Sequence, residues 1–256
     1  MECYGEALDV IESIPDPSTG DFLTEASWSF NLGRLLVRME RLDEAERRLM
    51  RAHELHGEYK PDDLELQMYS HSGLGELEEV RGDLDAAIEH YVEADRCAQH
   101  AFPADSIQRA ATANRLGAAY LARGDVEEAE GPTLTALEIA RDTYEPGSFY
   151  LDIYLLRRLD WCFEGGAIDE AHELVFELED TVPEGEAGRR ASVKVERARL
   201  LHVMGEVEEA RRCIREAIPS LLTETSITKR QIEICEGIMG EGIFDENALR
   251  RIGESR

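Results

Sequence analysis

Lysine is almost missing from this 256-residue chain: Lys60, Lys194 and Lys229 are the only three, so its positive charge is nearly all arginine. Basic residues as a class are few, 28 against 55 acids, and the formal net charge is -27. A chain this acidic offers no electrostatic footprint for nucleic-acid phosphates and none for an anionic membrane surface. Aromatics make up 7% of the residues, with two tryptophans. No apolar run is long enough to span a bilayer, and Met1-Glu2-Cys3-Tyr4 does not begin a basic-then-apolar signal segment, so the expected location is the cytoplasm. Cys3, Cys97, Cys162, Cys213 and Cys235 are scattered and odd in number, which suits reduced thiols in a helical core better than a disulfide framework. There is no Gly-rich phosphate loop, no CxxC pair and no nucleophile elbow. Neither a catalytic residue nor a cofactor site is expected.

What the chain has in quantity is repetition. Ala45, Ala87, Ala129 and Ala171 stand 42 residues apart, and Ala210 follows after 39. Three residues before each comes an aliphatic anchor, Leu42, Leu84, Val126, Ile168 and Val207. Seven after come Ala52, Ala94, Ala136 and Ala217, with Leu178 the exception. Before the anchors the chain breaks at Gly82-Asp83, Gly124-Asp125, Gly166-Ala167 and Gly205-Glu206, with Glu40-Arg41 in the first copy. Glycine supplies the left-handed conformation that ends one helix, and a following acid caps the next. The unit is a helical hairpin repeated about five times, and small residues mark where neighbouring backbones approach. One hairpin cannot bury its apolar stripe, whereas a stack can.

The copy from Asn114 to Leu137 has Leu116-Gly117, Tyr120, the loop glycine Gly124, then Ala129, Thr133 and Ala136. This order resembles the tetratricopeptide repeat. Leu32-Gly33 and Leu74-Gly75 carry the same pair, while the fourth and fifth copies have Arg158-Leu159 and Arg197-Ala198. A 42-residue spacing, longer than the usual 34 or so of this family, is similar to the kinesin light chain class, although Pro132 comes one residue late and asparagines stand singly. Pro132, beyond the first turn of its helix, predicts a bend near Glu128.

The resemblance implies an all-α, right-handed superhelical solenoid of stacked antiparallel helix pairs in a single domain: a half-repeat in residues 1–20, five repeats in 21–222 and capping helices in 223–256. The half-repeat has Ala7 in the marker position, and it reads as a one-helix cap, a self-association edge or a start inside a longer protein. The caps fall from Ser226 to Ile238 and near Asn247 to Ile252. A segment folded back into the groove is the alternative for the first of these, with Lys229 and Arg230 meeting acidic walls.

First helices of such repeats line a concave groove. The positions this implies are Asn31, Arg34 and Arg38; Tyr69, Ser72, Glu76 and Glu79; Asn114, Ala118 and Leu121; Leu156, Arg157, Asp160 and Phe163; Arg199 and His202. The expected function is a non-catalytic scaffold holding a partner's peptide segment there, with an apolar centre, basic flanks and Asn114 bonded to its backbone. Ala118, Leu121, Leu156 and Phe163 serve equally as packing between first helices. A regulatory or sensory module that changes shape on binding is the alternative, although no DNA-reading or kinase motif accompanies it. The carboxylate clamp of chaperone-tail binders does not fit, because Phe30, Gly73 and Ala111 occupy three of its places. His53 and His56, three apart, lack a third metal ligand in sequence, and His71, His90, His100, His172 and His202 read as isolated.

Overall fold

The computed structural model describes residues 18–223 and 228–240. The half-repeat around Ala7, the start of the capping run at Ser226 and Ile227, and the helix expected near Asn247 lie outside them. Among the described residues every regular element is helical. In chain order they are α1 (Thr19–Arg38), α2 (Leu42–Tyr59), α3 (Leu64–Arg81), α4 (Leu84–Ala101), α5 (Ile107–Arg123), α6 (Val126–Thr143), α7 (Phe149–Gly165), α8 (Ile168–Thr181), α9 (Ala187–Val203), α10 (Val207–Thr223) and α11 (Lys229–Met239).

Helix ends follow from local chemistry. The Ser18 and Asp21 side chains form a reciprocal box that caps α1, and Thr228 with Gln231 does the same for α11. Asp63, Asp83, Ser106 and Ser148 accept from the first turns of α3, α4, α5 and α7. Gly82, Gly124 and Gly166 end α3, α5 and α7 in the left-handed conformation. In the first copy Glu40 holds that conformation, with φ 57°, where the other copies have glycine. The α6 helix continues through Pro132 to Thr143.

Two compact units divide the chain, residues 1–143 and 144–256. In the first, α1 pairs with α2, α3 with α4 and α5 with α6, and α2 packs on α3 and α4 on α5. The marker alanines Ala45, Ala87 and Ala129 are fully buried. Beside them the paired glycines permit close approach. A Cβ on Gly33 would lie 2.7 Å from Leu49 Cγ, one on Gly75 2.6 Å from Tyr91 Cε1, and one on Gly117 2.6 Å from Thr133 Cγ2. One core cluster gathers Leu32, Leu36, Val37, Ala45, Leu49, Leu74 and Leu77, joining α1, α2 and α3.

In the second unit α7 pairs with α8 and α9 with α10, while α11 packs on both α9 and α10. Ala191, Val195, Ala198, Ala210, Ile214, Ala217, Leu221, Cys235 and Ile238 form one core cluster, so α11 covers apolar surface that the α9–α10 hairpin would otherwise leave open.

Candidate functional site

In the first unit three of the charged positions expected to face a groove, Arg34, Glu76 and Glu79, have partners within the fold. Arg34 Nε donates to Glu76 Oε2 at 3.0 Å, and Arg115 reaches the same oxygen at 3.5 Å, so one carboxylate on α3 ties α1 to α5. Arg34 also lies over the Phe30 ring, 5.7 Å from its centroid, and that ring meets Tyr69 at 6.2 Å. Glu79 Oε2 accepts from the Tyr91 hydroxyl at 2.7 Å. Burial and the two nearby acids, Glu79 first, push that phenol's pKa up. Asn31 turns back to Ser27 O within its own helix. Arg38 is exposed, Ser72 and Leu121 half-buried. Asn114 Oδ1 is shielded from solvent and accepts no hydrogen bond.

Glu76 and Glu79 are the acids expected to flank a ligand's apolar centre. Glu76 and Glu79 have internal donors, and lysine in place of Glu76 would face Arg34 and Arg115. Its effect would fall on stability as well as on binding.

The second unit brings Leu156, Arg157 and Asp160 together. They line a pocket of about 370 Å³ whose other walls come from Phe149, Ile153 and Asp152 of α7, Leu178 of α8, Gly188, Arg189, Ser192 and Val193 of α9, and Thr228, Arg230 and Gln231 at the start of α11. Phe149 is 58% exposed and Ile153 42%, so the apolar rim opens to water. Asp160 is the hub of its polar end. It pairs with Arg199 at 2.8 Å, Arg230 at 2.5 Å and Arg157 at 3.6 Å. Arg230 also binds Glu196, and Arg199 stacks over Phe163, 4.2 Å from the ring centroid. At the other end Arg189 bridges Asp152 at 2.7 Å and the Gly147 carbonyl at 2.8 Å. Asp152 is buried and its Oδ1 accepts no hydrogen bond; burial raises its pKa against the pull of Arg189. His202 is exposed and does not line the pocket.

Of the positions counted back from the marker alanines, Leu156, Arg157 and Asp160 line this pocket, whose ends come from residues outside that set. Phe149, Ile153, Leu156 and Asp160 follow one another at three- and four-residue steps, and Asp152 stands three after Phe149, so extending the stripe toward the start of α7 would have reached them. Arg189 and Arg230 carried no such signal. Arg230 does meet acids, as the folded-back alternative required, but it does so from a helix that packs as a cap.

The histidines also differ from expectation. His53 on α2, His71 on α3 and His90 on α4 form a row of rings, His53 edge-on to His71 and His90 tilted to it, with centroids 5.1 and 5.5 Å apart, and the Nδ1 atoms of His71 and His90 share a hydrogen bond of 3.2 Å. Residues isolated in sequence meet because three helices pack. His56 instead faces Ser70 Oγ at 2.8 Å in the interior. Among the described residues no group of three His, Cys, Asp or Glu side chains is placed to hold a metal ion. Nor is any helix among them long and apolar enough to cross a membrane.

Residues 109–150 match a family model described as Tetratricopeptide repeat, and residues 191–216 match a second model of the same description. A comparison with curated proteins gave no match. Among solved structures the chain is similar to the putative kinesin light chain nearly identical TPR-like repeats of Podosopora anserina, at TM-score 0.67 and 17% identity, over 76% of this chain and 94% of that one. It is similar to BtubC (BKLC) from P. vanneervenii at TM-score 0.57 and 16% identity, over 83% and 94%. The apo form of RapI gives TM-score 0.69 at 14% identity, over 99% of this chain and 69% of that chain. At such identities the likeness is one of fold.

Proposed function

We propose that the chain, which matches tetratricopeptide-repeat models over residues 109–150 and 191–216, is a protein-interaction scaffold that holds a peptide segment of a partner against the first helices of its repeats. The observation that carries this reading is the pocket on α7, α9 and α11. It pairs an apolar rim with convergent polar groups, the composition expected of a ligand site.

A photo-crosslinking amino acid placed at Ile153, compared with one at Phe176, exposed on α8, tests the reading in the native cell. The expected result is a discrete partner adduct from position 153 alone, lost when Leu156→Glu is added. Equal labelling from both positions would sink it.

A further inference from the structure

We infer that the pocket on α7, α9 and α11 selects an uncharged partner segment: one bulky apolar side chain, with a neutral N–H or O–H donor beside it and no charge in contact with the walls. This rests on the scaffold reading above and specifies its ligand. The apolar part follows from Phe149, Ile153, Leu156 and Val193, which shape a space of about 370 Å³.

The neutral part follows from where the wall charges go. Three arginines line the pocket, and each has a carboxylate: Arg157 at 3.6 Å from Asp160, Arg189 at 2.7 Å from Asp152, Arg230 at 2.5 Å from Asp160 and from Glu196. A charged ligand group would have to displace one of these pairs, strand the partner it frees, and lose its own hydration. An apolar group leaves every pair intact.

Among the carboxylate oxygens of the wall, Asp152 Oδ1 is buried without a donor. Asp152 lines the pocket with its side chain 10% exposed, Arg189 occupies Oδ2, and Oδ1 accepts nothing. A shielded acceptor without a donor is costly, and a ligand N–H or O–H that reached it would remove that cost. A cation there would crowd Arg189, so the fitting donor is neutral.

The consequence is a division between range and contact. A net charge of -27 attracts basic molecules from a distance, yet this pocket does not reward them on arrival.

A displayed library of random twelve-residue peptides, panned on the full chain, tests the inference. Selected sequences should share a bulky apolar position free of neighbouring charge. A synthetic peptide made from them should change affinity less than about twofold between about 50 and about 300 mM salt, because no exposed ion pair forms. Ile153→Glu, at the exposed rim, should weaken it at least about tenfold, about 1.4 kcal/mol, and Leu156→Ala should weaken it too, with the melting curve of each variant showing it folded. Selected peptides with a shared charged residue and steep salt dependence, still sensitive to Ile153→Glu, would overturn neutrality and leave the scaffold reading standing. Absence of enrichment, or binding indifferent to both variants, would overturn both.

Discussion

Arg230 grips Glu196 with two parallel bonds, Nη1 to Oε1 at 2.5 Å and Nη2 to Oε2 at 3.0 Å, and so joins the first turn of α11 to the middle of α9. The Glu196 side chain is 1% exposed. A carboxylate this deep is tolerated because a guanidinium matches its geometry.

Removing the arginine should therefore cost more than a surface ion pair. Arg230→Ala is expected to destabilise the second unit by about 3 kcal/mol, since it strands a buried charge. Adding Glu196→Gln should recover part of that loss. Urea unfolding of the two variants and the wild type measures both effects, and a loss no greater than that of the exposed Lys194–Glu216 pair would contradict the account.

Glycine chemistry predicts opposite signs at two positions. A Cβ at Gly75 would press into Tyr91, whose hydroxyl is held by Glu79, so the ring has no free direction in which to yield. Gly75→Ala should lower stability by about 1–3 kcal/mol through overpacking. Glu40 carries a left-handed backbone at φ 57° with a Cβ that opposes it, and Glu40→Gly should raise stability by about 1 kcal/mol. Thermal melts that move in the same direction for both would refute the reasoning.

The histidine cluster makes the first unit sensitive to acid. Burial, then the facing His53 and His90, lowers the His71 pKa from its ordinary 6.5 to about 4; burial lowers that of His90 as well. Around the cluster stand Glu93 and Arg96 of α4, near His71, and Glu78 of α3 and Glu89 of α4, near His90. The folded state binds its proton later than the unfolded state does. Stability is thus complete above about pH 6.5 and is lost as the pH falls from there toward about 4, by roughly 2–3 kcal/mol for His71 once its partial exposure is discounted. His71→Gln should flatten the fall of the urea midpoint over that window. An unchanged slope would assign the acid sensitivity to other groups.

Much of the architecture was legible because its causes are local. A glycine at the end of a helix, an aspartate or serine at the start of the next, and an alanine every 42 residues act within a turn or two of themselves. Gly82-Asp83 reads the same in sequence and in space, and Ala87 four residues later is fully buried. Glu40 was legible only as a departure from the pattern; its backbone conformation comes from the two helices that it joins.

The candidate site was legible in part. Leu156, Arg157 and Asp160 share one face of one helix, and a periodic stripe reveals such a set. The pairing of Asp160 with Arg230, 70 positions away, depends on α11 reaching across α9, and no spacing in the chain encodes that distance.

By itself, then, the sequence determined the helices, their ends and the hairpin that repeats, since these follow from backbone conformation and from the period of apolar residues. Only the tertiary structure decided which charges cancel, which histidines meet and where space is left between helices. Those outcomes depend on the registers in which helices pack, which many side chains set jointly and no short segment carries alone.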